Sequence, residues 1–334
     1  MKMGSPNKPE EYSSGKDNQD MHFESFIRNL NDYLAPFEER QYLDLEETLP
    51  SVHVIGVPRS GTTMMTQLIC SYLDVGYINN LVARFWKAPV TAIHISRKLL
   101  NEQHESSLSS RYGKTQHINE PHEFNYFWTD LLDYADFKVK SAEEAKTMNW
   151  ERVAHSLKNI IHAFGKPVAF KSFVMGWHAS LMQQYLTKTC FVWIRRNPID
   201  NALSLLETRE NHFGSRYNWS TLKPQNYESL KSGTPHEQIA AQVYYMEQTY
   251  QEQLEQLPKA NYQIFQYEEV CKDPAPALEA VKNMLNKHNG NVTLRDYELP
   301  QLEPSIRSRD KSEDYKKTMN ALQSFYPSAP GNKT

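Results

Sequence analysis

A short stretch of small, basic and hydroxyl residues, GVPRSGTT at residues 56–63, follows an apolar run and precedes a helical pattern. Where a strand leads through a tight loop into a helix, unpaired amides and the helix dipole converge and favour an anion. The guanidinium of Arg59 adds positive charge, and the neighbouring hydroxyls add donors. The stretch therefore predicts a phospho-anion site, whose expected contacts are Pro58, Arg59, Ser60, Gly61, Thr62 and Thr63.

The spacing of this loop is that of the nucleotide-binding pattern G-x-x-x-x-G-K-[ST], with one substitution. Thr62 stands where that pattern has its lysine. An enzyme that clamps the β and γ phosphates with Lys and Mg²⁺ is therefore disfavoured. A P-loop nucleotide kinase or NTPase remains an alternative function, and so does a non-catalytic module that only binds a nucleotide.

A second polar group follows the apolar run at residues 190–196. Arg196 ends that run, Asn197 is suited to an N-cap, Pro198 fits the first helical position, and Ser204 falls about two turns into the helix. An arginine offers a planar fork of donors and a serine offers one hydroxyl, which together suit a single phosphate.

Candidates for proton transfer surround Pro121. Glu120, His122 and Glu123 lie directly ahead of the aromatic stretch FNYFW, and we expect Pro121 to start a helix with Glu123 in its first turn. A carboxylate or imidazole there is able to act as a general base, although first-turn acids also simply stabilise a helix dipole. Lys171, at the end of the apolar run PVAFKS, is a candidate for neutralising negative charge at a sheet edge.

Three ordered motifs resemble sulfotransferases that use 3′-phosphoadenosine 5′-phosphosulfate. GVPRSGTT is similar to their 5′-phosphosulfate loop, in the subgroup with Pro-Arg-Ser-Gly-Thr-Thr that includes bacterial enzymes and tyrosylprotein sulfotransferases. Arg196 with Ser204 resembles their 3′-phosphate motif, and YEEV from Tyr267, followed by Asp-Pro, resembles their strand-end Y-E-D-L segment. The resemblance implies transfer of a sulfuryl group to the hydroxyl of a saccharide, glycolipid or other small molecule, with no metal required.

The same resemblance gives expectations for the acceptor side. The EPHEF segment looks like an E-x-x-E-F element that lines the acceptor pocket in the subgroup, with Glu123 and Glu120 preferred to His122 as base. Lys171 and Arg59 would neutralise the transferring group or its leaving oxygen.

The chain also departs from the family pattern. The C-terminal R-K-G-x-x-G loop of the cytosolic small-molecule enzymes is absent, so Arg307, Arg309 and Lys311 in SIRSRDK are the candidates for further 3′-phosphate contacts, unless this charge run is merely a solvated surface. The glutamate that tyrosylprotein sulfotransferases carry after the first helix has no counterpart in YINNLVARFWKAP.

Four β-type runs position these motifs. They span residues 52–57, 167–172, 190–196 and 262–267, and they are near-continuously apolar, as parallel strands covered on both faces tend to be. We expect an α/β, P-loop-like three-layer fold with a central, mostly parallel sheet flanked by helices. The long interval between the first two runs predicts a helical insertion over about residues 75–165.

Composition bounds the remaining possibilities. The chain has 334 residues and a formal net charge of −3, which gives no general attraction to nucleic acid. Three scattered cysteines favour core thiols in a reducing compartment, and no apolar run approaches a membrane span, so we expect a soluble cytoplasmic protein. We expect a disordered leader at 1–20, one domain at 21–327 and a flexible tail at 328–334. The oligomeric state is not indicated.

Overall fold

The computed structural model describes residues 18–100, 108, 115–134, 137–219 and 222–326. Five parallel strands form its sheet, in the spatial order β2-β3-β1-β4-β5. The strands are β1 Ser51–Ile55, β2 Gly76–Tyr77, β3 Val168–Lys171, β4 Thr189–Arg195 and β5 Tyr262–Gln266. The predicted α/β fold with a central parallel sheet is confirmed, and the two-residue edge strand β2 is the one that the apolar pattern did not indicate.

Helices cover both faces of the sheet, since strands that are buried on two sides need two layers of cover. The helices are α1 Asn18–Gln41, α2 Thr62–Tyr72, α3 Pro89–Leu99, α4 Asn125–Leu132, α5 Ala142–Lys146, α6 Trp150–Phe164, α7 Phe173–Gly176, α8 Ala179–Tyr185, α9 Pro198–Phe213, α10 Tyr227–Leu230, α11 Pro235–Glu255, α12 Tyr267–Lys272, α13 Ala275–Lys287 and α14 Glu313–Gln323. Two short 3₁₀ turns lie at Val82–Phe85 and Lys259–Asn261.

The apolar runs explain why β1 and β4 lie at the centre. All five residues of β1 are buried, and alternate side chains of each strand enter different core clusters. Phe191 and Trp193 of β4 pack in one cluster, and Val192 and Ile194 pack in the other. The sheet is therefore a rigid, two-sided platform for whatever follows its strands.

The range 75–165, predicted to be a helical insertion, carries β2, one 3₁₀ turn and helices α3 to α6 in its described parts. The predicted leader lies outside the described residues except for its last three, which begin α1. The predicted tail lies outside them altogether. The expected core thiols are found, because Cys70, Cys190 and Cys271 are all buried and unpaired.

Four of the predicted polar groups lie at the carboxyl ends of strands. The 56–63 loop follows β1, Ser172 follows β3, Arg196 follows β4 and Tyr267 follows β5. Because these ends lie at one edge of a parallel sheet, the fold gathers residues far apart in sequence at that edge. Along the described parts of the chain, no helix is both long and apolar enough to cross a membrane.

Candidate active site

The loop after β1 turns sharply into α2. Gly61, the N-cap, has φ of +104°, and a Cβ there would stand 2.5 Å from Cδ2 of Tyr267. Arg59 also takes the left-handed region, with φ of 71°. The loop thus requires glycine at position 61 for two reasons: its backbone conformation and the aromatic ring packed against it.

Side chains from the start of α9 hold this loop in place. Asn201 Nδ2 donates to the carbonyl of Pro58 at 2.7 Å, and Arg196 Nη1 donates to the carbonyl of Arg59 at 2.8 Å. Ser60 Oγ is buried and has no hydrogen-bond partner among the described residues. A buried polar atom with no partner is costly, so an oxyanion in the cradle would satisfy it.

The guanidinium groups of Arg59, Arg196 and Arg307 lie near one another, and that of Arg59 contacts Ser204. Arg59 Nε donates to Ser204 Oγ at 3.3 Å, and burial lowers the pKa of Arg59, helped by the nearby charges of Arg307 and Arg196. Arg196 is itself buried with its Nε unpartnered among the described residues, and its guanidinium lies 4.9 Å from the ring centroid of Tyr267. Like charges that lie near one another and partly out of water favour a bound anion.

Sequence analysis placed Arg307 and Arg309 together, and the structure separates them. The backbone N–H groups of Arg307 and Ser308 both donate to Asp200 Oδ1 at 2.6 Å, which docks this segment on the first turn of α9. The Ser305 carbonyl accepts from Arg196, and the Ser305 N–H donates to Tyr267 Oη at 3.1 Å.

Two cations of the SIRSRDK run are turned elsewhere. Arg309 is exposed and forms no hydrogen bond or ion pair with the described residues, and Lys311 Nζ donates to Tyr315 Oη at 2.9 Å. Arg307 is thus the member of this run that joins the arginine cluster.

A second polar group lies at the start of α2. Lys171 Nζ donates to Thr63 Oγ1 at 2.9 Å and pairs with Glu123 Oε2 at 3.1 Å. The Lys171 side chain is only 5% exposed, whereas the Glu123 side chain is 22% exposed. The strand-end lysine and the carboxylate predicted as a base are therefore brought together, against the anion loop.

Pro121 does not start a helix, so that expectation was wrong. Asn79 and Pro121 form an antiparallel bridge, the His122 N–H donates to the Ile78 carbonyl at 2.8 Å, and α4 begins only at Asn125. Phe124 adopts φ of 58°, and its N–H donates to His122 Nδ1 at 2.8 Å. Pro121 and His122 thus pair as extended backbone with the segment after β2, and the helix that proline usually favours does not form there.

Glu120 and His122, the other two proton-transfer candidates of this segment, differ from Glu123 in their burial and hydrogen bonding. Glu120 is completely buried and accepts a hydrogen bond from Gln67 Nε2 at 3.3 Å. His122 accepts at Nδ1, so in its neutral form the ring carries its proton on Nε2. The Glu120 carboxylate is thus enclosed, and the Nδ1 lone pair of His122 is already engaged by the backbone.

Sequence reasoning missed Asn201, Asp200 and Ser305. Asp200 has the signature of a first-turn acid that stabilises the helix dipole, and its actual partners lie 107 and 108 positions further along the chain. No local pattern marks such contacts. In the described ranges, no three or more His, Cys, Asp and Glu side chains are grouped so as to hold a metal ion.

A family model described as the sulfotransferase family matches residues 50–287, about 70% of the chain. The match runs from the strand before the anion loop to α13 and leaves Arg307 outside. No curated protein matches the chain.

Among solved structures, sulfotransferase STF1 from Mycobacterium tuberculosis H37Rv aligns with a TM-score of 0.50 and 11% identity, covering 91% of this chain and 80% of that one. Sulfotransferase STF9 from Mycobacterium avium aligns with a TM-score of 0.49 and 12% identity, covering 94% and 76%. At such identity, the likeness to STF1 concerns the fold.

Proposed function

The chain belongs to the sulfotransferase family, and on this premise we propose that it moves a sulfuryl group from 3′-phosphoadenosine 5′-phosphosulfate to an acceptor hydroxyl. Sulfotransferase activity follows from the family. The identity of the donor, the acceptor class and the roles of individual residues are the proposal.

The observation that carries the donor assignment is the arginine cluster at Ser204. Arg59 and Arg196 have no ion-pair partner among the described residues, and Ser204 is 1% exposed. A 3′-phosphate bound there would accept charge-assisted hydrogen bonds from groups that otherwise face neutral oxygens. Arg307 would add a third cation at the rim.

The 5′-phosphosulfate would occupy the loop after β1. The N-terminal amides of α2, the Ser60 hydroxyl and the hydroxyls of Thr62 and Thr63 supply donors there, and Thr62 replaces the lysine that clamps nucleoside triphosphates. These donors need no metal to bind an oxyanion. We therefore infer a site for a phosphosulfate end rather than for a metal-bound triphosphate.

Glu123 is the proposed general base. It is the partly exposed carboxylate of its segment, whereas Glu120 is completely buried, and its ion pair with Lys171 fixes it beside the anion loop. In the reaction, the acceptor oxygen forms the new S–O bond while its proton passes to Glu123. The S–O bond to the donor phosphate breaks, and its electron pair stays on the phosphate oxygen.

Positive charge is available for that departing oxygen. Lys171 Nζ lies at hydrogen-bond distance from Thr63, in the first turn of α2, and Arg59 projects from the loop itself. Fixed cations and dipoles aimed at developing charge lower the barrier without reorganisation. Lys171 and Arg59 would therefore stabilise the leaving phosphate.

The test of the donor is binding of adenosine 3′,5′-bisphosphate in EDTA, followed by calorimetry and thermal unfolding. At a hundredfold excess over Kd, we expect a stabilisation of about 2.7 kcal/mol. Replacing Arg196 by Ala should cost roughly 10- to 100-fold in affinity for this ligand and much less for AMP, which lacks the 3′-phosphate.

Arg195→Ala is the matched control, because Arg195 is adjacent in sequence but pairs with Glu247 at 3.1 Å. It should leave the ratio of the two affinities unchanged. No heat and no thermal shift with millimolar bisphosphate would refute the donor assignment. A radiolabelled donor with saccharide, glycolipid and small-molecule acceptors then identifies the acceptor class.

A further inference from the structure

We propose that Glu207 is a counter-ion that the 3′-phosphate of the nucleotide must displace from Arg307, so that this carboxylate weakens nucleotide binding and favours product release. The inference rests on the proposed donor and deepens it. It concerns a residue that lies beside the arginine cluster and that no motif singled out.

The geometry places Glu207 next to the expected phosphate. Ser204 and Glu207 are three residues apart on α9, so both project from the same side of that helix. Glu207 Oε2 lies 2.6 Å from Arg307 Nη2 and 2.8 Å from Arg307 Nε. The charge of Glu207 also acts on Arg59, which contacts Ser204.

The carboxylates of Asp200 and Glu207 differ in how firmly they are held. Asp200 is buried and accepts from the N–H groups of Arg307 and Ser308 and from Ser308 Oγ. Glu207 is 47% exposed, and Arg307 is its hydrogen-bonding partner among the described residues. Asp200 is thus a fixed clamp, whereas Glu207 can turn into solvent.

The charges of the cluster show how an outward turn of Glu207 would affect phosphate binding. The carboxylates of Asp200 and Glu207 lie among the three guanidinium groups, and the charge of Glu268 also acts on Arg196, so the cluster has little net positive charge to offer a phosphate that is close to dianionic. A carboxylate near the phosphate repels it and also occupies Arg307. When Glu207 turns outward, Arg307 becomes available to the phosphate, and part of the binding free energy is lost in breaking the ion pair.

The lost binding free energy has a consequence for the rate of product release. The 3′-phosphate takes no part in the bond changes, so donor and product nucleotide are held equally by it, and such uniform binding does not speed the chemical step. Tighter binding would only lengthen the time that the product stays bound. A displaceable counter-ion therefore limits product residence while it leaves the arginines in place.

The experiment measures Kd for adenosine 3′,5′-bisphosphate and for AMP by calorimetry in wild type, Glu207→Gln and Glu210→Gln. Glu210 is the matched control: it lies on the same helix, is 50% exposed, and pairs with Arg216 at 2.8 Å, away from the cluster. Since an exposed ion pair contributes modestly, we expect Glu207→Gln to bind the bisphosphate about three- to fivefold more tightly. The affinity of Glu207→Gln for AMP, and the affinities of Glu210→Gln for both nucleotides, should stay within about twofold of wild type. In 1 M NaCl, the ratio of bisphosphate affinities between Glu207→Gln and wild type should shrink towards one, because salt screens the charges.

Each other outcome overturns the inference in a distinguishable way. An unchanged bisphosphate Kd in Glu207→Gln, or a gain that persists in 1 M NaCl, would show that no displaceable charge is involved. Weaker binding in Glu207→Gln would show that Glu207 positions Arg307 for the phosphate. A wild-type chain that does not prefer the bisphosphate to AMP would refute the proposed donor, and the inference with it.

Discussion

Replacing Glu123 by Gln tests the chemistry at the acceptor side of the site. The amide keeps the size of the side chain, and its carbonyl oxygen is still able to accept from Lys171 Nζ, which lies 3.1 Å from Glu123 Oε2. Its basicity is removed, and so is the negative charge that pairs with Lys171. The chemical step should therefore be affected while the loop and the arginine cluster are left intact.

The expected loss follows from the role assigned to Glu123. A positioned general base contributes about 10²- to 10⁴-fold, which corresponds to about 2.7–5.5 kcal/mol of transition-state stabilisation. The donor site is formed by groups at β1, α2 and α9, so the Kd for adenosine 3′,5′-bisphosphate should change by less than about threefold. The defect should thus appear in kcat with little change in nucleotide affinity.

The assay is turnover of radiolabelled donor with the acceptor found by the screen, in parallel with calorimetry. Glu120→Gln is the matched control, since it makes the same change at a completely buried carboxylate. It should retain kcat to within about tenfold. If Glu123→Gln kept near-normal turnover, or if Glu120→Gln alone lost a hundredfold or more, the assignment of the base from exposure would be refuted.

Two further predictions concern the loop and the response to acid. Gly61→Ala places a Cβ 2.5 Å from Tyr267 Cδ2 at φ of +104°, so it should abolish measurable bisphosphate binding. The control Gly165→Ala, at φ of +65° in open space, should cost only about 1–2 kcal/mol of stability. Equal bisphosphate binding by the two variants in calorimetry would contradict this prediction. Burial lowers the pKa of His178 to about 4 and of His53 to about 3. Below about pH 6, each histidine therefore takes up a proton when the protein unfolds. The free energy of unfolding should fall by about 2.7 kcal/mol per pH unit from these two groups as the pH drops towards 4.5. His178→Gln should remove about half of that slope in urea titrations, and an unchanged slope would refute it.

The strands and the donor loop were predictable because their signals are local. Near-continuous apolar runs indicated β1, β3 and β4, and the run of small and hydroxyl residues at 56–63 marked the junction between β1 and α2. The strand β5 was predicted too, but not its burial: it lies at the edge of the sheet, and Ile264 and Gln266 are exposed, so it is not covered on both faces. The start of α9 was also readable: Asn197 caps it by accepting from the Ile199 N–H, and Pro198 is its first residue.

Features that depend on distant partners were not predictable. Proline at position 121 suggested a helix start, but Pro121 instead pairs with Asn79 in an antiparallel bridge. Tertiary contacts of this kind decide which of the two conformations forms. Arg307 and Arg309 have the same residue type in the same charge run, yet the Asp200 clamp holds the Arg307 backbone on α9 while Arg309 is left exposed. Sequence proximity gave no means of separating them.

The hydrogen bonds that hold the loop after β1 constrain how the molecule is assembled. The carbonyls of Pro58 and Arg59 are fixed by Asn201 and Arg196, which lie 143 and 137 positions away. During synthesis, the loop is therefore made long before its supports, and it stays without them until β4 and α9 have docked. A fragment ending before residue 196 would carry the complete motif and still lack an organised cradle, so acquisition of nucleotide binding reports the late, long-range stage of folding.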